Sequence, residues 1–177
     1  MDNCIINEGG IIMHDISLCE NEIIEEDLEH YGNMILRLSY SYLKNIHDSE
    51  DILQDVLIQL IKKKPDFEDD EHKKSWLLCV TRNLCINKLK SSWFKHRNEL
   101  IDLPYYDEYS NDNSYVLEAV MKLPLKYREV IHLFYYEDYS TAKIALIINK
   151  KESTVRSLLH RARNILKNTL KEGYDFE

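Results

Sequence analysis

Ser153, Thr154, Arg156, Ser157, His160 and Arg161 place hydroxyls, guanidiniums and an imidazole within nine residues of a chain that is acidic as a whole. The chemistry open to such a set is recognition. Guanidinium groups and hydroxyls reach base edges and phosphate oxygens, and a good bidentate base contact is worth about 1–3 kcal/mol of discrimination. A second set, Arg82, Asn83, Asn87, Lys88 and Lys90, joins amides to cations in the same way. Nothing comparable supports catalysis. The seven histidines are scattered without an HExxH pairing, and Cys4, Cys19, Cys79 and Cys85 form no CxxC pair. Neither a metal site nor a cofactor is expected, and Cys79 and Cys85 read as small core residues.

The elements that must carry these residues are helices. Only four glycines and three prolines interrupt 177 residues, and no apolar run is long enough to span a bilayer. The N-terminus lacks the basic-then-apolar pattern of a signal peptide, so a cytoplasmic protein is expected. Ser140 to Ile147 and Ser153 to Arg163 read as two short helices joined by a turn at Asn149, with Ser140 and Ser153 as N-caps. Val155, Leu158, Leu159, Ala162, Ile165 and Leu166 make an apolar stripe on the second helix, leaving its polar residues on other faces. A buried face behind a cationic one is what a helix-turn-helix needs to enter a major groove.

Upstream, the period of Tyr31, Ile35, Leu38 and Tyr42 predicts a helix over 23–43. Asp48 reads as the N-cap of a second helix that turns Ile52, Val56, Leu57, Leu60 and Ile61 inward and stops at Pro65. After a loop over 65–70, a third helix carries Trp76, Leu77, Val80, Leu84 and Leu89 on its core face. The fold class is therefore all-α, in two small helical domains. Residues 1–22 read as a flexible extension, 23–97 as a three-helix domain, 98–115 as an acidic flexible linker, 116–172 as the helix-turn-helix domain and 173–177 as a tail.

The net charge of −8 hides a segregation. Residues 1–36 hold nine acids and no Lys or Arg, 73–97 hold seven bases and no acid, and 143–171 hold eight bases against Glu152 alone. Two acid-poor stretches, one inside a helix-turn-helix, point to nucleic acid.

Two strings resemble the extracytoplasmic-function group of bacterial sigma factors. Asp48-Ser49-Glu50-Asp51-Ile52-Leu53-Gln54-Asp55-Val56, with Ser75-Trp76-Leu77 and Thr81-Arg82-Asn83, is similar to the group's promoter-melting region. Leu123-Pro124-Leu125-Lys126-Tyr127-Arg128-Glu129-Val130-Ile131, followed by Tyr135 to Ser140 and the helix-turn-helix, looks like its fourth region. The resemblance implies a sigma factor with no catalysis of its own. It assigns Asp51, Gln54 and Asp55 to the core RNA polymerase, and Phe67, Arg82, Asn83, Asn87, Lys88 and Lys90 to the −10 element of promoter DNA. Ser153, Thr154, Arg156, Ser157, His160 and Arg161 go to the −35 element. It also implies an anti-sigma factor, in this group often membrane-anchored. Two positions depart from the pattern: Leu158 replaces a common base, and Lys150 a common apolar residue. The competing reading is a conventional helix-turn-helix regulator with a helical partner-binding domain. The acidic balance is expected to keep the isolated protein weak on DNA.

Overall fold

The computed structural model describes the backbone of residues 13–91 and 114–174, and side chains from 24 to 91 and 115 to 171. The expectations for residues 1–12, for the end of the basic stretch over 92–97, for the linker before Ser114 and for 175–177 lie outside those residues. The described secondary structure is helical, in the order α1 (Met13–Leu43), α2 (Ile46–Lys63), α3 (Asp70–Lys90), α4 (Ser114–Lys122), α5 (Leu125–Tyr135), α6 (Thr141–Ile147) and α7 (Glu152–Tyr174). None of the described helices is long and apolar enough to cross a membrane.

Helices α1, α2 and α3 pack on one another as the first domain, and α4 to α7 form the second, in which α5 and α7 each touch the other three helices. The α1 stripe is buried as its period requires: Tyr31, Ile35, Leu38 and Tyr42 are all at most 5% exposed. Toward its C-terminus, residues 38–43 are buried on every side, because α5 covers the face that α2 and α3 leave open. The two domains therefore pack against each other. Likewise, residues 128–133 of α5 are buried in succession, as suits a helix surrounded by its neighbours.

Several boundaries differ from those read in the sequence. Helix α1 starts at Met13, ten residues before the expected start, so part of the N-terminal extension is helical. The cap of α2 is Asn45, whose side chain accepts from the Asp48 N–H at 2.8 Å. Asp48 thus sits inside the first turn, only 3% exposed, where its carboxylate meets Lys88 Nζ at 2.8 Å. Either residue could cap; the need for a carboxylate opposite α3 decides between them. Ile61 at the end of α2 is exposed, as is Ile165 on α7, so both apolar stripes are narrower than their periods imply. Lys64 ends α2 in a left-handed conformation, φ 41°, with its N–H donating to Leu60 O. The stripe of α3 is buried at Leu77 and Val80, but Leu78, Thr81 and Cys85 are buried too, because this helix touches neighbours on more than one side. Finally, α7 runs through to Tyr174, past the expected end of the domain.

Candidate nucleic-acid interface

The helix-turn-helix is built from local bonds. Ser140 caps α6 as expected, its hydroxyl accepting from the Lys143 N–H at 3.3 Å. Asn149 takes the left-handed turn, φ 52°, and its N–H donates to Leu146 O while that of Lys150 donates to Ala145 O. This pair of bonds closes the C-terminus of α6 as a Schellman motif, which needs one residue with positive φ. The side chain of Lys150 is exposed, so the turn is closed by backbone bonds.

Ser153 is not the cap of α7. The helix begins at Glu152, and the N–H groups of Thr154 and Val155 turn back to Lys151 O. Glu152, noted in the sequence only as the lone acid of its stretch, links the two helices. Its Oε1 accepts from Thr141 Oγ1 at 2.6 Å, and from Arg156 Nε and Nη2 at 3.1 and 2.6 Å. Those bonds, Thr141's first, hold its carboxyl below the usual carboxylate range. Val155, Leu159 and Ala162 face the core, and Leu158 is half-buried against it. Ser153, Thr154, Arg156, Ser157, His160 and Arg161 are all exposed. Two internal bonds set the face further: Ser157 Oγ donates to Ser153 O at 2.9 Å, and His160 meets Asn164 at 3.1 Å.

In the first domain the residues of the second set do not share one condition. Asn83, Asn87 and Lys90 are exposed on α3. Phe67 is half-buried in the loop before α3, edge-on to Trp76 and to His72 with ring centroids 5.7 Å apart in each case. Trp76 is half-buried against the core as expected and also backs that loop, with Lys63 Nζ 5.9 Å from its ring. Asp51, Gln54 and Asp55 are exposed on α2 and line a groove whose other wall is Leu84, Asn87 and Lys88 of α3. Residues assigned to polymerase and to DNA therefore meet along one cleft.

Lys88 and Arg82, assigned by the resemblance to the −10 element, are both held in ion pairs within the chain. Lys88 Nζ bridges Asp48 and Asp51, at 2.8 and 3.0 Å, and ties α3 to α2. Burial pulls its pKa down, and those two carboxylates outweigh burial to leave it raised. Arg82 Nε donates to Glu129 Oε1 of α5 at 2.5 Å, and Tyr42 of α1 donates to the same oxygen. Here too burial lowers the guanidinium pKa while the Glu129 carboxylate more than restores it. Glu129 and Tyr42 carried no sequence signal of this role.

Beside this pair, Lys74 Nζ reaches Glu137 Oε2 at 3.2 Å, and His132 Nε2 lies 3.5 Å from Glu137 Oε1. Lys74 and Lys143 sit over the Tyr139 ring at 5.3 and 5.7 Å. Cys79 faces Ile147 O of α6 at 3.8 Å. Burial pushes the Cys79 thiol up and that of Cys85 to about 12. The reactive form is the thiolate, so both cysteines are suited to packing and poorly to redox chemistry.

Glu137 gives this interface a pH dependence. Burial raises its pKa, and neighbouring His132 and Lys74 outweigh that, leaving it below the ordinary 4.5. A depressed carboxylate stabilises the folded state fully above its unfolded pKa and ceases to as pH falls through the folded one. Thermal stability is therefore expected to be insensitive to this group near neutral pH and to fall below about pH 4.5. Glu137→Gln should flatten that acid limb; an unchanged limb in the variant would show that Glu137 does not contribute.

The Sigma-70 region 2 family matches residues 28–95, and the family described as Sigma-70, region 4 matches 114–166. The chain is 25% identical over 174 residues to ECF RNA polymerase sigma factor SigW of Bacillus subtilis, covering 86% of this chain and 91% of that one. It is 30% identical over 153 residues to ECF RNA polymerase sigma factor SigL of Mycobacterium tuberculosis, covering 81% and 86%. Among solved structures it resembles the sigma factor RpoE in complex with the anti-sigma factor NepR from Bartonella quintana. There the TM-score is 0.71 at 23% identity, over 85% of this chain and 98% of that one.

Proposed function

The chain belongs to the extracytoplasmic-function group of the sigma-70 family, and we propose that its two helical domains divide promoter recognition between a strand-opening contact and a positioning contact. It is a dissociable sigma factor that binds core RNA polymerase and directs promoter recognition, melting and transcription initiation. It acts by binding, and the polymerisation chemistry belongs to the polymerase.

In this reading Asp51, Gln54 and Asp55 on the outer face of α2 dock on polymerase. Phe67, Asn83, Asn87 and Lys90 approach the −10 element, and Arg82 joins them when it is released from Glu129. The exposed face of α7 lies in the major groove of the −35 element, where Arg156 and Arg161 supply most of the contact energy. The observation that carries this is the split of α7 into a buried wall of Val155, Leu159 and Ala162 and an exposed polar face. Leu158, half-buried, contributes to the wall and not to phosphate binding. Two weak contacts held on one chain and one polymerase add through effective concentration. An anti-sigma factor is the third partner, supported by the likeness to a sigma factor solved with one bound. The site of action is the cytoplasm, with the polymerase.

Run-off transcription on a library of genomic fragments, with purified core polymerase and this chain as the one added factor, tests the assignment. Transcripts with a few shared start sites are expected. Core that stays silent with this chain, yet responds to it when another sigma factor is supplied, would instead make it a conventional regulator.

A further inference from the structure

The basic stretch on α3 is almost wholly neutralised where it stands. Of its five described cations, Lys73 is paired with Asp27, Lys74 with Glu137, Arg82 with Glu129 and Lys88 with Asp48, while Lys90 is exposed. The pairs fall into two kinds. Asp27 and Asp48 belong to the same domain as their lysines and stay with them whatever the second domain does. Glu129 and Glu137 come from the second domain, so separating the domains releases Arg82 and Lys74 together.

We infer that this packing is a latch: in the free chain Glu129 and Glu137 occupy Arg82 and Lys74, and so withhold from DNA the two cations of α3 that domain opening would expose. The inference rests on the assignment of α3 to the −10 element made above.

The domains are joined by exchangeable polar contacts beside an apolar cluster that continues through both: Tyr42 and Arg82 reach Glu129, Lys74 reaches Glu137, Lys143 reaches Glu71 at 2.7 Å and Ser75 reaches Tyr139 at 3.5 Å. Both latch carboxylates are nearly excluded from water, Glu129 at 6% and Glu137 at 6% exposure, so each needs its cation to remain buried. The fit around Glu137 is incomplete, since its Oε1 and the facing His132 Nε2 make no good hydrogen bond. Polymerase pulling the domains apart, with phosphates then replacing the two carboxylates, exchanges one set of ion pairs for another. The acids left behind return to water.

The test uses the full chain with Glu129→Gln and Glu137→Gln combined, against a control in which two exposed acids of the same domain, Glu118 and Asp138, become Gln and Asn. Affinity for a labelled single DNA strand of mixed sequence is read by fluorescence anisotropy over a range of salt, and domain separation by small-angle X-ray scattering. The latch variant is expected to expand and to bind on the order of tenfold more tightly than the control. Its slope of log affinity against log salt should steepen by about 1.4, some 0.7 for each cation released. Adding Arg82→Ala and Lys74→Ala should erase that gain. Glu137→Gln alone keeps the Arg82–Glu129 pair and should steepen the slope by about 0.7, for the one cation released; no change in slope there would overturn the latch, even if the double variant failed to fold. Equal behaviour of variant and control would overturn it as well. Run-off transcription keeps the two ideas apart. Failure of the sigma-factor assignment silences parent and variants alike with core enzyme, whereas failure of the latch leaves the parent transcribing.

Discussion

Lys88→Met is expected to destabilise the first domain by about 2–3 kcal/mol, a loss of 30- to 150-fold in the folded-to-unfolded ratio. Its Nζ lies 2.8 Å from the Asp48 carboxylate, which is only 3% exposed, and 3.0 Å from Asp51. Removing one member of a buried pair costs about 3–5 kcal/mol because a charge is left in a poor medium; Lys88 is itself partly solvated, which trims the figure. Asp48→Asn added to Lys88→Met should recover much of the loss, since the stranded charge goes with it. Lys90→Ala, two residues on and exposed, should stay within about 0.5 kcal/mol. Chemical denaturation of the four proteins decides the matter. If Lys88→Met unfolded as the parent does but lost DNA affinity with a flatter salt dependence, Lys88 would be a phosphate contact after all.

That experiment bears on what the sequence could and could not reveal. Patterns that are local were legible. The α1 stripe, the Ser140 cap, the left-handed Asn149 and the division of α7 into two faces are all decided within a few residues, and each is seen. Choices between equivalent local signals were not. Asn45 and Asp48 are both competent caps, and Ser153 is as good a capping residue as any near it. The first choice is set by Lys88, forty residues away, and the second by a helix that starts one residue earlier at Glu152.

The candidate site shows the same divide. Every residue assigned to the −35 element is exposed on α7, because exposure on an amphipathic helix follows from its own period. On α3 the period separates faces equally well but says nothing about partners from elsewhere. Arg82 meets a glutamate 47 residues on, and Lys74 one that follows it by 63. A stretch without acids reads as a cationic patch in one dimension, and folding brings the missing acids to it. Charge segregation along a chain is therefore an upper bound on charge segregation at its surface.

The α7 face, by contrast, keeps its cations available, so substitutions there should act on transcription and not on folding. Arg161→Ala is expected to lower run-off transcription from a cognate promoter by about 5- to 150-fold, the equivalent of the 1–3 kcal/mol of one good base contact. Its side chain is exposed, so the thermal midpoint should hold. Arg156 differs, because two of its nitrogens already serve Glu152. That bond aims the guanidinium along the helix before DNA arrives, leaving less side-chain freedom to lose on binding. Arg156→Ala should therefore cost at least as much as Arg161→Ala. Glu152→Gln should cost less, since it loosens the aim and leaves the cation in place. Promoter variants then separate base reading from backbone holding. An arginine that reads a base loses its effect when that base is changed, whereas one that holds phosphate weakens all promoters alike and reduces the salt slope by about 1. Full transcription by the Arg156→Ala/Arg161→Ala double variant would remove α7 from the −35 contact and leave promoter recognition to the first domain alone.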